Sequence, residues 1–170
     1  MPGWPAVIHD ALRAHHVRQL AYVPDGGHSE LLRLVHDDPA MNPVLLTSEQ
    51  EGIGVIAGAW LGGQRAALAM QSSGVGNCTN VLSLVRLCQL PFLALVTMRG
   101  EWGEFNPWQV PMGSATSQVF QLMGVQVKRA VSPEEVGPVV NAACTMAFDG
   151  GSPQAVLLTQ RLIGAKEFLK

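Results

Sequence analysis

At 170 residues, with 48% hydrophobic residues and a mean hydropathy of +0.20, the chain is long enough for one domain with its own core and too apolar for disorder. Only 14% of residues are charged, against roughly a quarter in an ordinary soluble domain, and a net charge of −2 argues against a nucleic-acid partner. The charge-poor stretches 66–85 and 105–127 are interrupted by Gln, Ser, Asn, Gly and Pro, so neither reads as a membrane span; so few charges imply that much of the surface is covered by other chains.

In chain order, periodicity predicts a helix over Trp4–His15 and a short strand over Gln19–Val23, stopped by Pro24-Asp25-Gly26-Gly27. A helix over Ser29–His36 carries Leu31, Leu32 and Val35 on one face, and a strand follows over Val44–Thr47. Glu49–Leu61 reads as a small-residue helix, Ala66–Met70 as a strand, and Gln71-Ser72-Ser73-Gly74-Val75-Gly76 as a loop. Asn77–Gln89 is expected to be helical and Phe92–Thr97 an almost wholly apolar strand, followed by an irregular segment from Met98 to Gly113. A helix over Ser114–Met123, a strand over Val125–Ala130, a helix over Pro133–Phe148 and a strand over Ala155–Thr159 complete the chain.

Apolar strands separated by single helices imply an α/β fold: one domain over residues 1–170, with a doubly wound open parallel sheet of about six strands covered by helices on both faces. Ligands in such sheets bind beyond the carboxyl ends of the strands. The loops 24–28, 47–51 and 71–77 leave those ends. Cys78, Cys88 and Cys144 are widely spaced in apolar contexts and read as buried small residues; there is no metal-ligand spacing. The start Met1-Pro-Gly-Trp-Pro-Ala lacks a basic region followed by an apolar run, so a reducing cytoplasm is the expected location.

Three segments carry chemistry. In Thr47-Ser48-Glu49-Gln50-Glu51-Gly52, Ser48 and Glu51 have the spacing of a capping box, which would make Glu51 structural. The helix behind them holds Gly52, Gly54, Ala57, Gly58 and Ala59, and each interior glycine costs up to about 1 kcal/mol. Such a helix implies close approach of another backbone or a flat ligand, and puts a carboxylate at its start in a position to act. The loop 71–77 can present amides to an anion, although its glycine spacing matches no nucleotide motif, and a plain tight loop is the alternative. Segment 98–113 sets Arg99, Glu101 and Glu104 among Trp102, Phe105 and Trp108, as a lid or contact loop would, or as a loop packed on its own core. Of the five histidines only His28 lies on a strand-end loop.

Taken together, Pro24-Asp25-Gly26, Glu49-Gln50-Glu51-Gly52-Ile53-Gly54-Val55, Met70-Gln71-Ser72-Ser73-Gly74-Val75-Gly76-Asn77, Arg99-Gly100-Glu101 and Gln109-Val110-Pro111-Met112-Gly113 resemble the pyrimidine-binding domain of thiamine diphosphate-dependent enzymes. Within these the chain is most similar to the 3-sulfopyruvate and 3-phosphonopyruvate decarboxylase family. The resemblance implies a 2-oxo acid decarboxylase (a carboxy-lyase) in which a glutamate hydrogen-bonds the cofactor pyrimidine and so activates it. It assigns that catalytic role to Glu51, which directly precedes Gly52, with Glu49 as runner-up. It further implies cofactor contacts from Pro24, Asp25, Glu51, Ser73, Gly74, Gly76 and Asn77, and substrate contacts from Asp25, His28, Ser72, Asn77, Arg99 and Gln109. Arg99 could hold an anion or brace its loop.

The family holds the diphosphate and its Mg2+ through a Gly-Asp-Gly segment on a second domain. No such segment occurs here, which implies an alpha subunit that binds no metal itself and works with a beta subunit carrying the other half, in a hetero-oligomer containing several alpha chains. The charge-poor helices 49–61 and 77–89 are the expected contact surfaces. Two alternatives stand beside this reading. One is a monomeric flavodoxin-like domain binding a phosphate or nucleotide at 71–77, and the other is a non-catalytic assembly partner.

Overall fold

The computed structural model describes residues 3–164. Helix α1 (Trp4–Ala14) starts with proline in its first turn, where a missing N–H costs nothing, and buries Ile8, Ala11 and Leu12 at helical spacing. Then come β1 (Val17–Tyr22), α2 (Ser29–Asp37), β2 (Asn42–Leu45), α3 (Glu49–Leu61) and β3 (Arg65–Gln71). The second half comprises α4 (Val75–Cys78), α5 (Leu82–Leu87), β4 (Leu93–Thr97), α6 (Gln109–Leu122), β5 (Gln126–Ala130), α7 (Pro133–Phe148), β6 (Gln154–Leu158) and α8 (Gln160–Ile163).

The six strands form one sheet in the order β2-β1-β3-β4-β6-β5, and every neighbouring pair is parallel. The pleat sends alternate residues of β3 to opposite faces. Ala67 and Ala69 join the core beneath α1, α2 and α7, with Ile8, Leu31 and Val140. Ala66, Leu68 and Met70 join the core beneath α3 to α6, with Ile53, Val75, Leu82 and Phe120. The expected doubly wound three-layer α/β domain is therefore present. The chain goes from β1 outward to β2 and returns to β3 on the other side of β1, so the strand order reverses there and opens a crevice at the carboxyl edge.

Four sequence expectations need correction. The strand expected at Val44–Thr47 is Asn42–Leu45, and neither it nor β5 is apolar throughout, because both are edges of the sheet. Pro43 and Arg129 suit an edge and would not suit the centre. The helix expected at Asn77–Gln89 is broken into α4 and α5. At the break the Thr79 hydroxyl donates to the Gly76 carbonyl at 3.1 Å, giving the backbone an alternative to continuing the helix. The irregular segment after β4 stops at Trp108, and Gln109–Gly113 is the start of α6; Pro111 sits in the first turn, where its missing N–H is harmless. Cys78 and Cys144 are buried as expected, but Cys88 is exposed. Among the described residues no helix is long and apolar enough to cross a membrane.

Candidate functional site

The carboxyl ends of β1, β3 and β4 meet in a buried polar network. Asp25, three residues beyond β1, has a side chain only 5% exposed. The Gln71 amide at the end of β3 donates to its Oδ1 at 3.0 Å, and the Thr97 hydroxyl at the end of β4 donates to its Oδ2. A Cβ on Gly27 would lie 2.7 Å from Thr97 Cγ2, so only glycine lets the turn after β1 settle against β4. The Ser73 hydroxyl donates to Gln71 Oε1 at 2.8 Å. Asp25 thus faces inward onto this network, while Pro24 is exposed beside it.

His28 ends the short turn Gly26–His28 and is fully buried, with Nδ1 3.6 Å from Asp25 Oδ2 and no hydrogen-bond partner on either ring nitrogen. Burial pushes its pKa down to about 4, against the opposing pull of the Asp25 charge. A histidine more acidic in the fold than in the unfolded chain binds its proton last in the fold. Stability is therefore complete above about pH 6.5 and falls as pH drops towards 4, by on the order of 2 kcal/mol at pH 4.5. The non-titrating variant His28→Phe should lose this slope. Denaturant melts of both proteins at pH 7 and pH 4.5 measure it, and equal losses in the two would exclude His28 as the source.

The two glutamates at the start of α3 point in different directions. Glu51 reaches back to Thr47, accepting from its hydroxyl at 2.7 Å and its amide at 3.0 Å. The Thr47 hydroxyl, then its amide, hold the exposed Glu51 carboxyl below the usual range. This is the capping reading, with Thr47 in place of the expected Ser48, whose side chain makes no cap hydrogen bond. Glu49 turns the other way, towards the loop after β3. Its Oε2 accepts from the exposed Asn77 amide at 2.8 Å, and a Cβ on Gly74 would overlap its carboxylate. Gly74 is therefore the residue that admits Glu49. The helix rotation follows from Gly52, where a Cβ would lie 2.5 Å from Leu68 Cδ1 and 3.0 Å from Leu46 Cδ1. Glu49, three residues before Gly52, shares the sheet-facing side with Ile53 and Ile56, and Glu51 does not.

Ser72 is buried and structural, its Oγ accepting the Arg99 amide at 3.0 Å. The Arg99 side chain braces its loop. Nε and Nη2 donate to Glu104 at 2.7 and 2.6 Å, and both side chains are over 90% buried. Arg99, then the Asn106 and Gly100 amides, hold the Glu104 carboxyl down at about 2 despite its burial. Gln160 at the start of α8 ties the loop down further, donating to Glu104 at 3.0 Å and accepting the amides of Glu101 and Trp102. Glu101 completes this with the Gln160 amide and Arg129. The substrate-anion role expected of Arg99 does not fit a guanidinium committed in this way.

Next to the 73–77 loop lies an open cleft of about 690 Å3, lined by Ser73, Pro107, Trp108, Pro111 and Met112. Met112 packs towards Gly76, where a Cβ would lie 3.2 Å from the sulfur. Gln109, at the start of α6, has a buried Oε1 without a partner. Sequence reasoning singled out Gln109 and Ser73 but passed over Gln71 and Thr97, although a polar residue closing each of two apolar strands was a readable signal. Trp102, Phe105 and Trp108 are all exposed, with Arg161 stacked 4.0 Å over the Trp102 ring. The described residues contain no group of three His, Cys, Asp or Glu that could hold a metal ion.

No protein-family model matches the chain. The alpha subunit of sulfopyruvate decarboxylase from Methanothermobacter thermautotrophicus is 39% identical over 129 residues, which span 75% of this chain and 78% of that one. Phosphonopyruvate decarboxylase from Streptomyces viridochromogenes is 37% identical over 112 residues, spanning 65% of this chain and 28% of that one. Among solved structures, the 2-oxoglutarate:ferredoxin oxidoreductase from Magnetococcus marinus superposes with a TM-score of 0.72 at 11% identity, over 95% of this chain and 29% of that one.

Proposed function

The chain belongs to the family of thiamine diphosphate-dependent sulfopyruvate and phosphonopyruvate decarboxylases, and from that premise we propose that it is the alpha subunit of a 2-oxo acid decarboxylase in which Glu49 activates the cofactor. The observation that carries the proposal is the Glu49 carboxylate, drawn onto Gly74 beside Asn77 at the carboxyl edge of the sheet. The donor set fits an aminopyrimidine: a carboxylate for a ring nitrogen, the Ser73 hydroxyl and Asn77 amide for polar edges, and Met112 and Pro111 as apolar walls. When bound, the cofactor supplies a nucleophilic carbon and then an electron sink for the departing carboxylate.

The chain's own residues orient and move protons. Glu49 exchanges a proton with the ring nitrogen, and this works best once a covering surface removes water from it. Gly74 and Gly76 leave room for the Glu49 carboxylate and the Met112 sulfur, the groups that would meet a flat ring. Glu51 ties the first turn of α3 to Thr47, while Gly52 sets the rotation that points Glu49.

The Arg99 guanidinium is paired with Glu104, and the relatives are named alpha subunits, so we place the diphosphate and Mg2+ on a beta subunit. In the phosphonopyruvate decarboxylase the matching region occupies 28% of a longer chain. Helices α3 and α5 supply the contact face. Trp60, Leu61, Leu84 and Leu87 are exposed there, and Cβ atoms on Gly54 and Gly58 would meet nothing within 4 Å. A face this apolar is also where like alpha chains would associate.

The experiment is reconstitution. The chain alone is expected to release no CO2 from 3-sulfopyruvate, 3-phosphonopyruvate or other 2-oxo acids. Mixed with its beta subunit, thiamine diphosphate and Mg2+, it should release CO2 from at least one of them. Equal rates with and without the alpha chain would overturn the proposal.

A further inference from the structure

The hydrogen-bond chain at the reversal of strand order has a direction that the assigned roles leave unused. The Asp25 carboxylate only accepts, so the Gln71 amide must turn its NH2 towards Oδ1, at 3.0 Å. That leaves Gln71 Oε1 facing Ser73, whose single hydroxyl proton is consumed at 2.8 Å. Ser73 lines the cleft, and only its lone pairs remain for whatever enters. Were Ser73 to donate outward instead, a half-buried amide oxygen would lose its partner, a cost large enough to discriminate between ligands. Thr97 holds the second carboxylate oxygen, so Asp25 cannot turn away.

We propose that Asp25 is a positioning residue which, acting through Gln71, makes Ser73 a hydrogen-bond acceptor towards the cleft, so that the cleft selects a ligand group carrying an N–H donor. The inference rests on the reading above, in which that group belongs to the aminopyrimidine, with Glu49 meeting the same ring from beyond Gly74. Asp25 itself touches no ligand.

The test is a double-mutant cycle on the complex with the beta subunit and Mg2+. Thiamine diphosphate binding is read from quenching of tryptophan fluorescence, since Trp108 lines the same cleft as Ser73. Ser73→Ala and Asp25→Leu should each raise the Kd about tenfold, and the double variant should also raise it about tenfold, because Asp25 acts only through Ser73. Turnover of the same variants is read at saturating thiamine diphosphate, so that lost binding is separated from lost catalysis. Gln71→Met cuts the chain between its ends and should give the same tenfold, which keeps the test decisive if Asp25→Leu folds poorly. A roughly hundredfold loss in the double variant would show independent structural effects and overturn the inference, as would an unchanged Kd in Ser73→Ala or Gln71→Met. If the parent complex binds no thiamine diphosphate, the proposed function falls with it; normal binding without coupling overturns this inference alone.

Discussion

Replacing Glu49 with Gln is expected to lower turnover of the reconstituted complex by on the order of 100-fold or more, the usual scale for losing a positioned proton-transfer group. Glu51→Gln is expected to stay within about threefold. The two residues are two apart in sequence but serve different ends. Glu49 lies against Gly74 and Asn77, whereas both oxygens of Glu51 are taken by Thr47. Glutamine keeps the shape of each side chain and removes only the proton chemistry, so the comparison isolates that chemistry. Glu51→Gln should instead appear as a small fall in Tm from a weakened first turn. A 100-fold loss in Glu51→Gln with Glu49→Gln near normal would return the role to Glu51, and normal turnover in both would remove the glutamate from the mechanism.

Gly113→Ala is expected to destabilise the chain by about 3 kcal/mol, the upper part of the range for overpacking, and to lower Tm by about 10 °C. In a helix interior glycine to alanine ordinarily stabilises by up to about 1 kcal/mol. Here a Cβ would overlap the Arg99 carbonyl, and one on Gly100 would overlap the Gln109 carbonyl, so α6 and the loop after β4 meet backbone to backbone. Arg99 cannot retreat, because its amide is held by Ser72 and its guanidinium by Glu104. Helix α6 must move instead, taking Met112 and Pro111 out of the cleft wall. Gly54→Ala and Gly58→Ala serve as controls, since both positions face open space and should stabilise the isolated chain. A rise in Tm for Gly113→Ala would mean that α6 does not rest on Arg99 and Gly100.

The layered fold was legible because its signals are local. Helix α3 begins and ends at Glu49 and Leu61 as periodicity implied, and Pro133 and Phe148 bound α7 in the same way. Edge strands were less legible, since β2 and β5 bury one face poorly and lose the apolar run that marks the centre of a parallel sheet. The loop Arg99-Gly100-Glu101 was visible as a motif, but its work was not. Whether an arginine binds an anion or a neighbouring carboxylate depends on Glu104 folding back over it, which spacing does not reveal. The choice between Glu49 and Glu51 turned on helix rotation. That rotation is set by Gly52 pressing on Leu68, a contact between elements, although the stripe Glu49, Gly52, Ile53, Ile56 already hinted at it. Residues Gly74 and Gly113 likewise matter for what passes beside them, which is tertiary information.

Under the proposed function, this chain supplies the carboxylate that activates thiamine diphosphate bound between two subunits. The most direct measurement is the rate at which the thiazolium C2 proton of the bound cofactor exchanges for deuterium, read by proton NMR after acid quench, with no 2-oxo acid present. Exchange should be fast in the complex, unaccelerated with either subunit alone, slowed in Glu49→Gln and fast in Glu51→Gln. Acceleration by the beta subunit alone, or undiminished exchange in Glu49→Gln, would contradict the proposed function.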